Sequence, residues 1–513
     1  MSNLITRPAT ATPADAIAGT QVAHDQRTTA RPIDAIGGVA ALPPVEPTAE
    51  PDAPPGAMSA LQRWTLAAVC LATAILMLDI AVVNSALTSI AGSLDTGLTG
   101  VQWVVDAYTL ALASVVLTAG SLADRFGRRR LFVAGTGLFT AASIACAAAS
   151  SIEMLSASRA VQGIGAAVMF AVSLALLADA FPSERQRAGA LAIYGATIGA
   201  SFAIGPFVGG ALTEGLSWRW IFLINVPIGL LCLAITVSRL RESRDPHPRR
   251  VDLPGQVFLT AGLFTLVLGL LRGNEQGWGS TSIVLLLGAA GASLAAFVAW
   301  ELRAREPMFP LGMLRDPAFA GAQIAAFSIS ASLFAVFIYA TLYLQQVLGL
   351  SPMEAGLFWV PATLVNLFAA GATASLVDRI GAGRLMAIGL ALVATGLALM
   401  TGPGADASWE ALLPASIIAM LGTGLFNPAV IAVALDVPQE RSGLAAGIND
   451  TARQAGIAVG VAALGALIPA SAGLGAADPT GFVDGLHDAY WVGAAVAATG
   501  AVASLALIRR KAA

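Results

Sequence analysis

The stretches DRFGRRRL at residues 124–131 and DRIGAGRL at residues 378–385 share the pattern D-R-x-G-x-x-R-L. Each copy follows the second apolar run of its half of the chain. A chance match in a short basic loop is the alternative, but the matching positions favour two related halves. Parallel halves related by an axis along the membrane normal are a transporter architecture, with the substrate bound between them near the midplane.

The residues around these stretches are strongly apolar. The chain has 513 residues, of which 57% are hydrophobic and 12% charged, whereas soluble domains carry about 25% charged residues. Apolar runs of about 20 residues, each long enough to cross a bilayer as a helix, recur along the sequence. This composition excludes a soluble enzyme, a disordered chain and a disulfide scaffold, and it predicts an all-α polytopic membrane protein.

The apolar runs predict fourteen spans. We expect two six-helix halves at 58–245 and 310–513, an additional central helix pair within 246–309, and a disordered cytoplasmic tail at 1–57. An upstream start-site artefact is the alternative for this Ala-, Pro- and Thr-rich tail. The predicted spans are 64–90, 101–123, 131–149, 155–180, 188–213, 219–238, 254–272, 281–301, 319–345, 353–377, 384–402, 408–433, 442–469 and 487–508.

Basic residues are concentrated in alternate loops, whereas the other loops hold only Arg219 and Arg272, at helix edges. By the positive-inside rule the basic loops are cytoplasmic, so both termini are predicted to be inside. The excess of arginine over lysine is typical of a GC-rich bacterial genome, so we expect a bacterial inner membrane. The basic residues of these loops and the C-terminus are Arg125, Arg128, Arg129, Arg130, Arg185, Arg187, Arg239, Arg241, Arg244, Arg249, Arg250, Arg303, Arg305, Arg315, Arg379, Arg384, Arg441, Arg509, Arg510 and Lys511.

Several kinds of chemistry are excluded by residues that the sequence lacks. The only lysine is Lys511, so a P-loop for ATP cannot form. There is no G-x-S-x-G elbow, no C-x-x-C pair and no histidine cluster. We therefore expect no cofactor and no nucleic-acid partner, with transport driven by a proton or other ion gradient or by a separate ATPase. A membrane-embedded enzyme is the remaining alternative, but no catalytic cluster supports it.

Five motifs resemble the major facilitator superfamily and its fourteen-helix drug:proton antiporter branch. GSLADRFGRR at 120–129 resembles the superfamily's loop signature, and L-x-x-x-R-x-x-Q-G-x-G at 155–165 resembles its fourth-helix motif. GPFVGG at 205–210 is similar to the antiporter motif, with Ser201 where glycine is common. LDIAVVNSAL at 78–87 and WRWIFLINVPIG at 218–229 are similar to patterns of the fourteen-helix branch, although Ala81 and Ser85 depart from the first one.

The resemblance implies export of a small hydrophobic or cationic drug in exchange for protons, by a protein that functions as a monomer in the lipid bilayer. A proton symporter that imports a small nutrient is the alternative. The resemblance also implies a cytoplasmic gate in which Asp124 contacts a helix N-terminus of the other half. The residues of this gate motif are Gly120, Asp124, Arg125, Gly127 and Arg128.

Small residues form a stripe along the fifth predicted helix. Gly195, Gly199, Pro206 and Gly210 fall within about 60° of one another on a helix. Such stripes let helices approach closely in lipid. Ordinary helix packing and a tight seal between the halves are both open, and the antiporter motif, which includes Gly205 and Gly209, implies the seal.

Three ionisable residues inside the spans are candidates for proton coupling or substrate binding, because intramembrane charge is costly and usually functional. Asp79 lies near the middle of the first helix, Asp106 in the outer part of the second, and Arg159 about one turn into the fourth. A structural hydrogen-bond role is the alternative for Asp79. Asp106 either binds protons or pairs with Arg159, and we favour this pairing; Arg159 itself cannot deprotonate.

Asp450 and Arg453 in the thirteenth predicted span have i, i+3 spacing. Residues at this spacing share a helix face and are able to pair. We predict a structural or gating pair here.

Overall fold

The computed structural model of this chain describes residues 58–245, 250–438, 441–469 and 479–508. These ranges are helical and contain no strand. The predicted tail 1–57 and the basic residues Arg249, Arg509, Arg510 and Lys511 lie outside them. The long helices are α1 (Ala60–Ser93), α2 (Leu98–Phe126), α3 (Arg128–Ala147), α4 (Ile152–Ala180), α5 (Glu184–Gly215), α6 (Trp220–Arg239), α7 (Leu253–Gln276), α8 (Thr281–Glu301), α9 (Pro317–Gln346), α10 (Pro352–Ile380), α11 (Ala382–Leu399), α12 (Leu413–Ala434), α13 (Ser442–Gly465) and α14 (Pro479–Leu507).

Thirteen of the described helices are long and apolar enough to cross a membrane. The remaining long helix, α13, corresponds to the predicted span 442–469 and would extend about 36 Å. Asn449, Asp450 and Gln454 make α13 more polar, but each is only 6% exposed because α13 packs between α2 and α9. Polar side chains in a membrane helix are tolerated when they face the protein interior. The predicted all-α polytopic membrane fold is therefore confirmed.

The packing of the first six helices recurs in the last six. The pairs α2–α4, α3–α4, α1–α5 and α3–α6 correspond to α10–α12, α11–α12, α9–α13 and α11–α14. We call α1–α6 the N-terminal bundle and α9–α14 the C-terminal bundle. The two bundles contact each other mainly through α2 with α13 and α5 with α10.

The repeated D-R-x-G stretches have the same backbone conformation. Gly127 ends α2 with φ 109° and ψ 130°, and Gly381 ends α10 with φ 92° and ψ 142°. Their amides donate to the carbonyls of Ala123 and Val377 respectively. Because L-residues with a β-carbon rarely adopt such positive φ values, glycine is required at both turns.

The additional helices α7 and α8 pack on each other, and α7 also packs on α2 and α13. Asn274 near the end of α7 donates to the carbonyls of Ala466 and Ile468, which follow α13, over 2.6 Å and 3.2 Å. Thr99 of α2 donates to Glu275 of α7 over 2.7 Å. Through these contacts α7 covers the α2–α13 contact and touches both bundles.

Candidate functional site

A buried ion pair joins α4 to α1 inside the N-terminal bundle. Arg159 Nη1 donates to Asp79 Oδ2 over 2.5 Å, and the two side chains are 2% and 0% exposed. Arg159 also donates through Nε to the Val104 carbonyl of α2 over 3.0 Å, and through Nη1 to Gln162 Oε1 over 2.7 Å. A charge this deep is tolerated only when it is paired and its other hydrogen-bonding groups are satisfied.

The second carboxylate oxygen of Asp79 is also occupied. Gln162 Nε2 and Asn225 Nδ2 donate to Asp79 Oδ1 over 2.9 Å and 2.8 Å. Ser143 Oγ of α3 accepts from Gln162 over 2.9 Å and from Asn225 over 3.5 Å. Sequence reasoning gave no role to these three partners, although uncharged polar side chains inside apolar runs were an available signal. We call Asp79, Arg159, Gln162, Asn225 and Ser143 the buried polar network.

The predicted pairing of Arg159 with Asp106 is wrong. Arg159 Cζ lies 4.2 Å from the ring centroid of Tyr108, and side chains two residues apart on a helix point about 200° apart. Asp106 therefore points away from Arg159, on the face of Gln102, whose Nε2 donates to the Tyr339 hydroxyl over 2.8 Å. Asp106 is 0% exposed, and neither carboxylate oxygen has a hydrogen-bond partner among the described residues.

A cavity of about 30 Å³ lies beside the network, between the two bundles. Its polar lining includes Asn84, Tyr108 and Arg159, and its apolar lining includes Phe202 of α5 and Phe334 of α9. Ligand pockets usually measure about 300–1,000 Å³, so this cavity has room for about one water molecule. A drug-sized molecule would fit here only if the bundles moved apart.

Asp450 and Arg453 do not form the predicted pair. Among the described residues, no ion pair within 4 Å joins them. Arg453 Cζ instead lies 5.9 Å from the ring centroid of Phe334, in the π-helical segment Ser330–Phe334 of α9. The i, i+3 spacing permits contact without forcing it, and here the aromatic ring competes for the guanidinium. Asp450 Oδ2 is buried without a hydrogen-bond partner.

Part of the glycine motif of α5 lies against α1 in the same bundle. A β-carbon on Gly209 would lie 2.6 Å from the Val82 carbonyl oxygen, and one on Gly205 would overlap the Ala81 side chain. Ser85 Oγ of α1 donates to the Pro206 carbonyl over 3.0 Å. These three α5 residues thus allow backbone-to-backbone packing within the N-terminal bundle.

The stripe itself faces α10 in the other bundle. A β-carbon on Gly210 would lie 2.8 Å from Met353 Cα, and one on Gly356 would meet the Pro206 backbone. About three turns from Gly210 towards the basic loops, a β-carbon on Gly199 would lie 3.1 Å from Leu367 Cδ1. Small residues therefore bring the two bundles into close contact.

The contact between the stripe and α10 ends at Gly199 on the side of the basic loops. Nothing lies within 4 Å of a β-carbon built on Gly195, and Gly195, Ala192 and Ala188 on the same face are exposed. We call the side of the basic loops the arginine-rich end and the other side the opposite end. The α5–α10 contact is therefore tight towards the opposite end and open at the arginine-rich end.

Four hydrogen bonds that cross between the bundles lie midway along the helices or nearer the opposite end. They are Gln102 Nε2 to Tyr339 Oη (2.8 Å), Gln345 Nε2 to the Ser85 carbonyl (3.0 Å), Met353 N to Glu214 Oε2 (3.1 Å) and Thr363 Oγ1 to the Ala203 carbonyl (3.1 Å).

The loop motif at the arginine-rich end makes contacts within its own bundle. Asp124 accepts from Arg128 Nη2 over 3.0 Å and from Nε over 3.2 Å. Within the part of the chain that the structure describes, no hydrogen bond joins its side chain to a helix N-terminus of the C-terminal bundle. Arg125 Cζ lies 5.7 Å from the Phe126 ring centroid, and nothing lies within 4 Å of a β-carbon built on Gly120. The gate contact implied by the resemblance is therefore not found among the described residues, at the end where the α5 stripe is open.

Glu242, which sequence reasoning missed, caps the N-terminus of α3. Its carboxylate accepts from the amides of Arg129 and Arg130 over 3.1 Å and 3.2 Å. A β-carbon on Gly127 would lie 2.5 Å from Glu242 Oε1. Glu242 fills the capping role that Gly127, which lacks a side chain, cannot fill.

Comparisons with known proteins agree with this architecture. The sequence model of the Major Facilitator Superfamily matches residues 69–461 and 363–513. The multidrug resistance protein Stp of Mycobacterium tuberculosis is 34% identical over 416 residues, which are 80% of this chain and 77% of that protein. The puromycin resistance protein pur8 of Streptomyces alboniger is 34% identical over 443 residues, 85% of this chain and 88% of that protein.

Solved structures share the fold. A crystal structure of the peptide transporter POT in complex with sulfate has a TM-score of 0.65 at 16% identity, covering 86% of this chain and 94% of that one. A similarity at this identity shows the fold alone. The family match over most of the chain, the repeated bundles and the paired D-R-x-G turns lead to one conclusion: this chain belongs to the Major Facilitator Superfamily.

Proposed function

We propose that the protein is a secondary active transporter that exports small apolar or cationic compounds in exchange for protons. The observation that carries this proposal is the buried polar network beside a cavity between two bundles, with the unpartnered Asp106 nearby. Similar proteins are named for resistance to multiple drugs, puromycin and methylenomycin A. Phe202, Phe334 and Tyr108 in the cavity lining suit an apolar or aromatic substrate.

Asp106 is the proton-binding carboxyl in this proposal. Asp79 accepts hydrogen bonds from Arg159, Gln162 and Asn225, so its charge is compensated. Asp106 has no such partner among the described residues, and a bound proton would remove its uncompensated charge. The role of Asp79 is then to hold Arg159 in the cavity wall.

Alternating access would move the halves 58–245 and 310–513 against each other, with the α5 stripe sealing the opposite end. The arginine-rich end is cytoplasmic in this proposal, and both termini are inside a bacterial inner membrane. One chain lines the cavity from both bundles, which supports function as a monomer. The proposal includes no cofactor. One proton moving through 100 mV supplies about 2.3 kcal/mol.

The test uses everted membrane vesicles from cells that express the protein. We expect a fluorescent cationic dye to accumulate when the vesicle interior is made acidic, and the accumulation to collapse with an uncoupler. Vesicles with an Asp106→Asn variant, expressed at equal level, should lose the uphill accumulation. Dye uptake that ignores the proton gradient, or that requires the reverse gradient, would contradict export by antiport.

A further inference from the structure

The last turn of α5 contacts the first turn of α10 at the opposite end. Glu214 Oε2 accepts a hydrogen bond from the Met353 amide over 3.1 Å. Glu214 belongs to the N-terminal bundle and Met353 to the C-terminal bundle, so this bond spans the interface that must open during alternating access.

The start of α10 explains why the Met353 amide needs a partner from the other bundle. Ser351 and Glu354 form a capping box, in which Ser351 N donates to Glu354 Oε2 over 2.8 Å and Glu354 N donates to Ser351 Oγ over 3.2 Å. Pro352 has no amide hydrogen. The Met353 amide is thus the remaining donor of the first turn, and a carboxylate at a helix N-terminus is favoured by the helix dipole.

The surrounding contacts hold the end of α5 against α10, where the exposed Glu214 lies. Gly210, one turn earlier on α5, packs backbone to backbone against Pro352 and Met353. A second bond across the interface, from Gln345 Nε2 to the Ser85 carbonyl, involves no charge. Of the four hydrogen bonds between the bundles described above, the bond at Glu214 is the one that uses a carboxylate.

We infer that Glu214 is a latch that stabilises the conformation closed at the opposite end. Glu214 acts as a positioning residue, and it sets the fraction of molecules able to load substrate from the arginine-rich end. The sequence resemblance assigns a contact between a carboxylate and a helix N-terminus to Asp124 at the arginine-rich end. In this conformation, a contact between a carboxylate and a helix N-terminus is found at the opposite end. Its carboxylate belongs to Glu214, which is outside that motif.

Electron spin resonance distances between labels on Leu216→Cys and Gln346→Cys test this inference in the purified full-length chain. Both positions are exposed near the opposite end, one in each bundle. Cys70 is replaced by alanine, while Cys146 and Cys232 are 0% exposed. We expect Glu214→Ala to raise the population with the long distance about two- to fivefold, and Glu214→Gln to have a smaller effect because it keeps an acceptor.

Glu354→Ala is the matched control, because it removes a carboxylate from the same helix end without touching a bond between bundles. It should leave the distance distribution unchanged. A distribution for Glu214→Ala equal to that of the parent chain, or an equal shift in Glu354→Ala, would overturn the latch.

A transport measurement gives a second readout that rests on the proposed function. Since apparent affinity falls with the fraction of the loading-competent state, the KM for dye in everted vesicles should rise in Glu214→Ala by the factor by which the short-distance population falls, with kcat retained. A KM that stays constant while the distances shift would contradict the loading role. If the parent chain transports no dye, the proposed function fails, whereas the distance measurement still decides whether the latch exists.

Discussion

The α3–α4 pair of the N-terminal bundle and the α11–α12 pair of the C-terminal bundle occupy equivalent places but differ in polar content. Both pack through glycine: a β-carbon on Gly165 would lie 2.9 Å from the Gly135 carbonyl oxygen, and one on Gly389 would lie 2.6 Å from that of Gly422. In α4, the polar side chains of Arg159 and Gln162 bond to other helices.

In α12, buried Ser416 and Thr423 bond to carbonyls of their own helix. The N-terminal bundle therefore has a charged pair whose partners come from several helices, whereas at the equivalent place in the C-terminal bundle these two hydroxyl groups bond within their own helix. The same helix arrangement serves both, so the chemistry depends on side chains that the packing pattern does not specify.

The largest effect should come from breaking the charge pair of the N-terminal bundle. Asp79→Asn leaves the Arg159 charge buried without compensation, and breaking a buried pair costs about 3–5 kcal/mol. We expect low yield, a strongly reduced melting temperature in detergent, and no transport. The double variant Asp79→Asn/Arg159→Gln should recover part of the yield. A loss of yield in the double variant equal to the sum of the losses in the two single variants would show that the two charges are not coupled.

Asp106→Asn should abolish proton coupling without lowering the stability of the protein. The substitution is isosteric and removes no described hydrogen bond of the side chain. We therefore expect a normal melting temperature but at least a tenfold loss of uphill dye accumulation, corresponding to about 1.4 kcal/mol or more. Gradient-driven accumulation at the parent rate would move the proton site elsewhere, with Asp450 as the next candidate.

Gly210→Ala compared with Gly195→Ala tests whether the α5 stripe is a seal. The new methyl group at position 210 meets the α10 backbone, and overpacking costs about 1–3 kcal/mol. The methyl group at 195 meets nothing within 4 Å, and alanine is favoured over glycine in a helix by about 0.5–1 kcal/mol. Melting temperatures should fall for the first variant and stay level or rise for the second. Equal changes would show that Gly210 makes no tight contact with α10, and without that contact the stripe cannot seal the opposite end.

The smallest effect compares hydroxyl groups of the two bundles. Ser143→Ala removes an acceptor for Gln162 and Asn225, at a cost of about 1–2 kcal/mol. Ser416→Ala removes a bond within a single helix and should cost only about 0.5 kcal/mol, the lower end for a hydrogen bond. Thermal unfolding of both variants in the same detergent measures the difference, and a larger loss for Ser416→Ala would contradict the comparison.

Much of the fold could be predicted from the sequence, because the length and apolarity of a segment and the arginines in its loops are properties of whole helices and do not depend on tertiary contacts. The paired turns at Gly127 and Gly381 were predictable because the pattern D-R-x-G-x-x-R-L repeats. The partners of charged residues were harder to predict. Arg159 bonds to Asp79 because of how α4 is rotated against α1, and linear spacing carries no information about that rotation.

Local spacing was also insufficient for Asp450 and Arg453, since the aromatic ring of Phe334 comes from a distant part of the chain. The π-helical segment that holds this ring has no sequence signal that we recognise. Likewise, the sequence around Glu214 does not indicate a partner, and only the assembled bundles show which amide it reaches.

The position of α7 has a mechanical consequence. A motion that parts α2 from α13 must break the bonds of Asn274 or those of Thr99 with Glu275, whereas a motion that parts α5 from α10 leaves all of them intact. The α2–α13 side is therefore held by a third helix in addition to its direct contacts, whereas the α5–α10 side depends on direct contacts alone. We therefore expect the two bundles to rotate relative to each other about the α7 side, and not to separate evenly on all sides.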